Sequence, residues 1–362
     1  MTNNYIDSDS GLRDVVESLA KESWLALDTE FMRERTYYPQ LCLMQIGTGR
    51  ELFCIDTIAL SSVAPLLALI CGGDKTMVLH AARQDLEIFY TQHQAISAPL
   101  FDTQIAGGLI GLDAQLGYAG LIKQLLGIEL EKGLQRANWA QRPLPQNQID
   151  YAIDDVRHLS EAYPMLLEQL EAKQRLAWAL EDSARLLVPD LYLPQPDKAF
   201  ERIGQAKVLP AVEQQVLQRV AAWRERYAQR VDKPRTWITS DATLIYISHI
   251  KPGSVSALNN IKGIAPEILK TETDDLLAAV AAGLAADPLL LLEKPVPLSD
   301  KEQKRYRLLK KHVDARAKEL GMDSPVLGTR KDIELLLRGH KNSLLLQGWR
   351  KAVIGDELLA LA

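Results

Sequence analysis

Asp28 and Glu30 stand two residues apart in LDTEF, at the end of the apolar run WLALDTEFM (24–32). Residues i and i+2 of a strand project from one face, so this spacing aims two carboxylates together. Leu25 and Leu27 are core-type strand residues, and acids beside them are costly unless something offsets their repulsion and desolvation. A divalent cation would do so; the alternative is a strand end fraying into a solvated turn. Asp85 follows a second apolar run, TMVLHAA (76–82), and falls at a helix start, where, taken singly, it reads as an N-cap. In DYAIDDVRHLSEAY, Tyr151 and Asp155 are four apart and share a helix face, whereas Asp154 is turned away toward solvent. Hard oxygen donors without a Cys or His cluster favour Mg²⁺ or Mn²⁺ over zinc. A pair of such ions stabilises the attacking and leaving oxygens of a phosphodiester hydrolysis.

The elements that must hold these residues follow from periodicity. Three strands are predicted at 24–32, 41–48 and 51–57, separated by turn-sized gaps as in an antiparallel meander. A helix near 61–71, a strand at 76–82, a helix at 84–93 and a short extended segment at 99–103 complete an α/β pattern. From about 104 the chain reads as nearly all helical, with a long amphipathic helix over 147–163 and Pro164 near its end. Pro-rich stretches at 188–200 and 287–300 mark two boundaries. The segments 205–285 and 298–362 each open on a basic helix carrying aromatics, LQRVAAWRERYAQR and KEQKRYRLLKKHVDARAKEL, and read as diverged copies of one helical module.

A chain of 362 residues exceeds one ordinary core, and a hydrophobic fraction of 47% with 25% charged residues matches globular domains. No apolar run approaches the length of a membrane span, and the first residues do not pattern as a secretory signal, so a cytoplasmic protein is expected. Cys42, Cys54 and Cys71 lack the close spacing of zinc sites or disulfide frameworks and are expected to be buried thiols. The net charge of −5 conceals an asymmetry: residues 1–200 hold 16 Lys and Arg against 27 Asp and Glu, and residues 201–362 hold 26 against 20. An acidic half joined to a basic half suits a carboxylate-rich metal site fused to a module that meets a polyanion, or reflects variation between domains.

Taken in order, these acids resemble the three motifs of the DEDD superfamily of 3′–5′ exonucleases: Asp28 and Glu30 in LDTEF, Asp85 in LHAARQDLEIF, Tyr151 with Asp155 in YAIDDV. Tyr151 places the resemblance with the tyrosine-bearing branch. RTYYPQLCLMQIG (35–47), FDTQIAG (101–107) and LGIELEKGLQRANWAQRPLPQNQIDYA (126–152) resemble the ribonuclease D family, and the two helical modules look like HRDC domains, the nucleic-acid-binding module shared by some helicases and that family. The resemblance implies an α/β ribonuclease H-like exonuclease domain over 1–195, a mixed sheet with flanking helices, followed by two all-α HRDC-like domains at 205–287 and 298–362. It implies two Mg²⁺ or Mn²⁺ ions. Asp28 would bridge both, Glu30 and Asp155 would bind the ion that activates water, Asp85 would help retain the second, and Tyr151 would orient the water. It implies attack at RNA 3′ ends with release of nucleoside 5′-monophosphates and precursor tRNA as a substrate; a monomer is expected.

Other residues have two readings. Asp102 in FDT begins a helix and reads as a cap, and His80 on an apolar strand reads as a hydrogen-bonded core or cleft-wall histidine. Tyr37, Tyr38 and Gln45 are candidates for the cleft, where aromatic faces stack on unpaired bases; packing explains the tyrosines equally. Lys132, Gln135, Trp139 and Arg142 lie in the loop before the last motif and either contact phosphate or order that loop. Trp223, Arg224, Arg226, Tyr227 and Arg230, and likewise Lys304, Arg305, Tyr306, Lys310 and Lys311, are expected RNA contacts on basic helices, against the alternative of a solvated face. A DNA exonuclease would use the same acids, and a non-catalytic binding scaffold would not need them. GGDKT (72–76) lacks the spacing of a phosphate-cradling loop, which argues against an ATP-driven helicase.

Overall fold

A computed structural model describes residues 2–94, 96–130, 133, 137–294 and 296–361. Six strands, β1 (Thr2–Ile6), β2 (Trp24–Met32), β3 (Gln40–Gly47), β4 (Glu51–Ile55), β5 (Thr76–Leu79) and β6 (Leu100–Asp102), form one sheet in the order β1-β4-β3-β2-β5-β6. β3 and β4 pair antiparallel, whereas β1 with β4, β2 with β5 and β5 with β6 are parallel, so the sheet is mixed. The expected meander is present as β2, β3 and β4 side by side. β1 and the following helix α1 (Asp9–Leu19) extend it beyond what the sequence pattern suggested.

The pleat sorts the two cores. Leu25, Leu27, Met77 and Leu79 pack with α1, α2 (Ala64–Gly72) and α3 (Arg83–His93) through Leu12, Leu19, Leu66, Ile70, Leu86 and Phe89. The alternate residues Ala26, Val78 and Phe101 face α4 (Thr103–Ile110), α5 (Tyr118–Leu126), α6 (Gln146–Ala172) and α7 (Leu176–Ala184). Pro164 lies inside α6 rather than ending it, because Leu166 and Leu170 beyond it are buried in this second core. Helices of the C-terminal segment join the same core through Leu309, Val313, Ile333 and Leu336.

The chain divides into two compact units: residues 1–32, 41–192 and 298–362 in one, and 33–40 with 193–297 in the other. The chain passes between the units near 193 and again at 298, and the segment 298–362 belongs to the unit that holds the sheet. Within the first unit, Trp349 stacks on Trp178 with centroids 4.3 Å apart, and the buried Arg350 grips Asp182 through two hydrogen bonds of 2.7 and 2.9 Å. The second unit is built on helix α8 (Ala211–Arg230), which is buried along most of its length. A Cβ at Gly283 would lie 2.5 Å from Val216 Cα, which is why the helix Thr273–Ala285 can pack so close to α8. Among the described residues no helix is long and apolar enough to cross a membrane. All three cysteine thiols are buried outside any disulfide.

Candidate active site

The alternation that turns Ala26 toward α6 also turns Asp28 and Glu30 that way, while Thr29 faces α3. On α6, burial of Ala152, Ile153, Val156 and Leu159 fixes the rotation of the helix, leaving Tyr151 and Asp155 half-buried on the side facing β2. Asp154 is turned to solvent and pairs with Arg157 at 3.0 Å. One carboxylate oxygen from each of Asp28, Glu30 and Asp155 lies within 4.8 Å of the others. The three line a cavity of about 490 Å³ together with Tyr151, Tyr118 and His80.

Asp85 enters differently. It sits in the first turn of α3, and its carboxylate accepts a 2.5 Å hydrogen bond from Thr29 Oγ1, reached from the opposite face of the strand. The turn that delivers it is held by Asp102, which accepts from the backbone N–H of Ala81 and Ala82 at 3.3 and 2.9 Å and caps α4 through Gln104 and Ile105. Ala81 adopts φ +53°, a left-handed conformation that these contacts stabilise. Asp102 is thus the cap expected of it, with an added hold on the turn before Asp85. His80 Nδ1 lies 3.0 Å from Thr103 Oγ1, and Thr103 donates to the Leu79 carbonyl, so the ring is a hydrogen-bonded wall of the cavity.

Four acids so placed repel one another. Burial, followed by the charges of Asp155, Asp85 and Glu30, lifts Asp28 well above the ordinary carboxylate range. Burial and the same neighbours push Glu30 up to about 9, burial and Asp154 push Asp155 up to about 7, and burial raises Asp85 to about 6 against the opposing bond from Thr29. The Tyr151 phenol is raised by burial and then by Asp155, Glu30 and Asp28. The donor set fits a hard divalent cation: its oxygens are mutually close, all from carboxylates, and unstable as anions until a positive charge joins them.

The expected nucleic-acid contacts fare unevenly. Lys132 and Gln135 lie outside the described residues. Gln45 is 0% exposed in the middle of β3, so it is an interior residue and not a cleft contact. Arg142 spends its guanidinium on Asp56 and on three backbone carbonyls, which favours loop ordering over phosphate contact. Trp223, Arg224 and Tyr227 are corrected too. All three are buried in α8, with Arg224 bound to the Thr239 carbonyl and Asp241, because α8 is the centre of its unit and not a surface helix. In that unit Tyr37 donates to Glu225 at 2.6 Å, and the backbone N–H groups of Tyr37 and Tyr38 bind Asp232. Lys304, Arg305, Lys310 and Lys311 are exposed on the helix Asp300–Leu320, where Lys310 pairs with Asp314.

Sequence reasoning missed Tyr118, whose hydroxyl donates to the Asp155 backbone carbonyl, and Thr29 as the partner of Asp85. Thr29 was open to detection, since a hydroxyl between two acids on a strand must face the other side. Nothing local marks Tyr118.

Comparison with known proteins agrees with this geometry. A family model described as a 3′–5′ exonuclease matches residues 3–171, and one described as an HRDC domain matches residues 213–280. The chain is 37% identical to a ribonuclease D of Gluconacetobacter diazotrophicus, over 98% of this chain and 92% of that one. It is 34% identical to a ribonuclease D of Sphingobium indicum, over 95% and 90%. The crystal structure of Escherichia coli RNase D, described as an exoribonuclease involved in structured RNA processing, superposes with a TM-score of 0.86 at 28% identity, covering 100% of this chain and 98% of that one. The chain belongs to the ribonuclease D family and is a 3′–5′ exoribonuclease of that type.

Proposed function

We propose that the chain shortens RNA from the 3′ end one nucleotide at a time, releasing nucleoside 5′-monophosphates, and that precursor tRNA is among its substrates. The observation that carries this reading is the convergence of Asp28, Glu30 and Asp155 on one cavity with Tyr151 at its wall. Asp28, Glu30, Asp85 and Asp155 are the residues that would hold two Mg²⁺ or Mn²⁺ ions. Bound there, such ions supply charge stabilisation at the attacking and leaving oxygens.

The remaining work falls to this chain's own groups. The carboxylates of β2 and α6 face each other across the cavity, so a terminal phosphodiester seated there meets donors from two rigid elements. Tyr151 keeps its proton throughout the neutral range, since burial and three nearby carboxylates all disfavour the phenolate. Its role is therefore to align the attacking water by hydrogen bonding and not to remove a proton. Thr29 holds Asp85, and Tyr118 holds the backbone of Asp155, so two of the acids have their own supports. RNA contact outside the cavity is assigned to exposed groups. In the second unit these are Trp237 and Tyr246, 56% and 50% exposed, and in the first unit the lysines and arginines of the helix Asp300–Leu320.

The discriminating experiment presents matched RNA and DNA oligonucleotides, with and without Mg²⁺, and identifies the released product. The reading expects Mg²⁺-dependent release of 5′-monophosphates, faster from RNA. Preference for DNA would replace it with a repair exonuclease, and no release from either would leave a binding scaffold. Precursor tRNAs retaining 3′ extensions in cells lacking the protein would support the tRNA assignment, and tRNA ends of normal length would remove it.

A further inference from the structure

Arg142 is an unusual arginine for a loop beside a nuclease site, because its hydrogen bonds all turn inward. Nε donates to Asp56 Oδ2 at 2.5 Å, and Nη2 donates to Asp56 Oδ1 at 2.6 Å and to the Cys42 carbonyl at 2.8 Å. Nη1 donates to the carbonyls of Trp139 and Gln141, each at 2.7 Å. Asp56, 1% exposed just beyond β4, also accepts from the Tyr5 hydroxyl at 2.5 Å and from the backbone N–H of Ile58 and Ala59 at 3.1 and 3.2 Å. A bidentate carboxylate–guanidinium pair fixes direction as well as distance, and here the carboxylate is buried and the guanidinium half-buried. The sheet therefore holds the loop at 137–145 by a two-pronged clamp.

That loop presents Trp139 to the site. The indole is 2% exposed, packs with Leu144, Ala152 and Ile153, and lies 6.2 Å from the Tyr151 ring, centroid to centroid, tilted by 31°. Tyr151 itself needs such a backing. It lies near the start of α6, whose N-cap, Pro145, offers no side-chain hydrogen bond to the orphan N–H groups of the first turn. An uncapped helix start is held by what packs against it.

We propose that Asp56, Arg142 and Trp139 form a positioning relay that sets the Tyr151 phenol for water alignment, Asp56 and Arg142 fixing the loop and Trp139 fixing the ring. This rests on the reading of Tyr151 given above. The relay touches neither phosphate nor the reacting atoms. Its loss should therefore lower turnover while leaving substrate affinity in place.

A double-mutant cycle tests it, using full-length protein, saturating Mg²⁺ and a short single-stranded RNA. Arg142→Lys and Trp139→Phe are each made in the wild-type and Tyr151→Phe backgrounds. In the wild-type background each should lower kcat by about ten- to a hundredfold, the scale of a small misplacement at a reacting centre, with KM changed by less than about twofold. In the Tyr151→Phe background the same substitutions should change kcat by less than about threefold, because the group they position has already lost its hydroxyl. Equal factors in both backgrounds, or wild-type kcat for both single variants, would overturn the relay while leaving the Tyr151 reading standing. Wild-type kcat for Tyr151→Phe alone would overturn that reading and the relay with it. Should Arg142→Lys fail to fold, Trp139→Phe carries the test, since among the described residues the indole Nε1 has no hydrogen-bond partner for its loss to orphan.

Discussion

The four acids differ in what each depends on. Asp28 and Glu30 are aimed by the pleat alone, Asp155 by the rotation of α6, and Asp85 by a hydrogen bond from the far side of β2. Their shared excess of negative charge has a consequence for stability. A carboxyl whose folded pKa lies above its unfolded value near 4 binds its proton more tightly in the folded chain, so its contribution favours folding at low pH and turns against it as pH rises. With Asp85 raised to about 6, Asp155 to about 7 and Glu30 to about 9, the loss spreads from mildly acid to alkaline pH. Chelator-treated protein should therefore melt at progressively lower temperature between about pH 5 and pH 9, and Mg²⁺ should restore more of the melting temperature at the alkaline end. A metal-free melting temperature that climbs across this interval would contradict the electrostatics described here.

At the scale of elements, the meeting of β3 with α6 decides whether Tyr151 and Asp155 arrive where β2 needs them. A Cβ on Gly47 would lie 2.2 Å from Ser160 Oγ and 2.8 Å from the Val156 carbonyl. Gly47→Ala should thus force α6 away from the sheet, costing about 1–3 kcal/mol of stability and reducing trimming. Denaturant unfolding and a rate measurement on the same preparation would show both, and an unchanged midpoint would mean that the interface yields more easily than its spacing suggests. Much of this architecture was legible in the sequence: the runs 24–32 and 51–57, the alternation before Asp28 and the four-residue step from Tyr151 to Asp155 all carry local periodic signals. Other parts were not. β1, TNNYI, holds only Tyr5 and Ile6 as apolar residues, and its pairing with β4 comes from the fold around it. Pro164 suggested a helix end, but burial of Leu166 and Leu170 carries α6 past it. Trp223, Arg224 and Tyr227 looked like a basic surface because composition does not reveal that a helix is covered on nearly every side.

At the scale of the molecule, the C-terminal helices form part of the unit that contains the sheet, and the Asp182–Arg350 pair is a buried tie within it. Arg350→Ala would leave the buried Asp182 with Arg185 at 3.6 Å and the Trp349 indole N–H at 3.2 Å and is expected to cost about 1.5–3 kcal/mol, read as a fall in melting temperature; a shift within error would mean that the tie is dispensable. In the other unit, Trp237→Ala and Tyr246→Ala should weaken binding of single-stranded RNA by about 1–3 kcal/mol each with the melting temperature retained, and unchanged affinity would remove these aromatics from the RNA path. Asp28→Asn tests most directly whether the chain trims RNA through its carboxylate cluster. With 5′-labelled single-stranded RNA and Mg²⁺, wild type should give a ladder shortening from the 3′ end. Asp28→Asn should give none while melting, metal-free, at least as high as wild type, since an amide is buried there without the cost that burial and the neighbouring acids impose on a carboxylate. A ladder formed by Asp28→Asn at the wild-type rate would contradict the account.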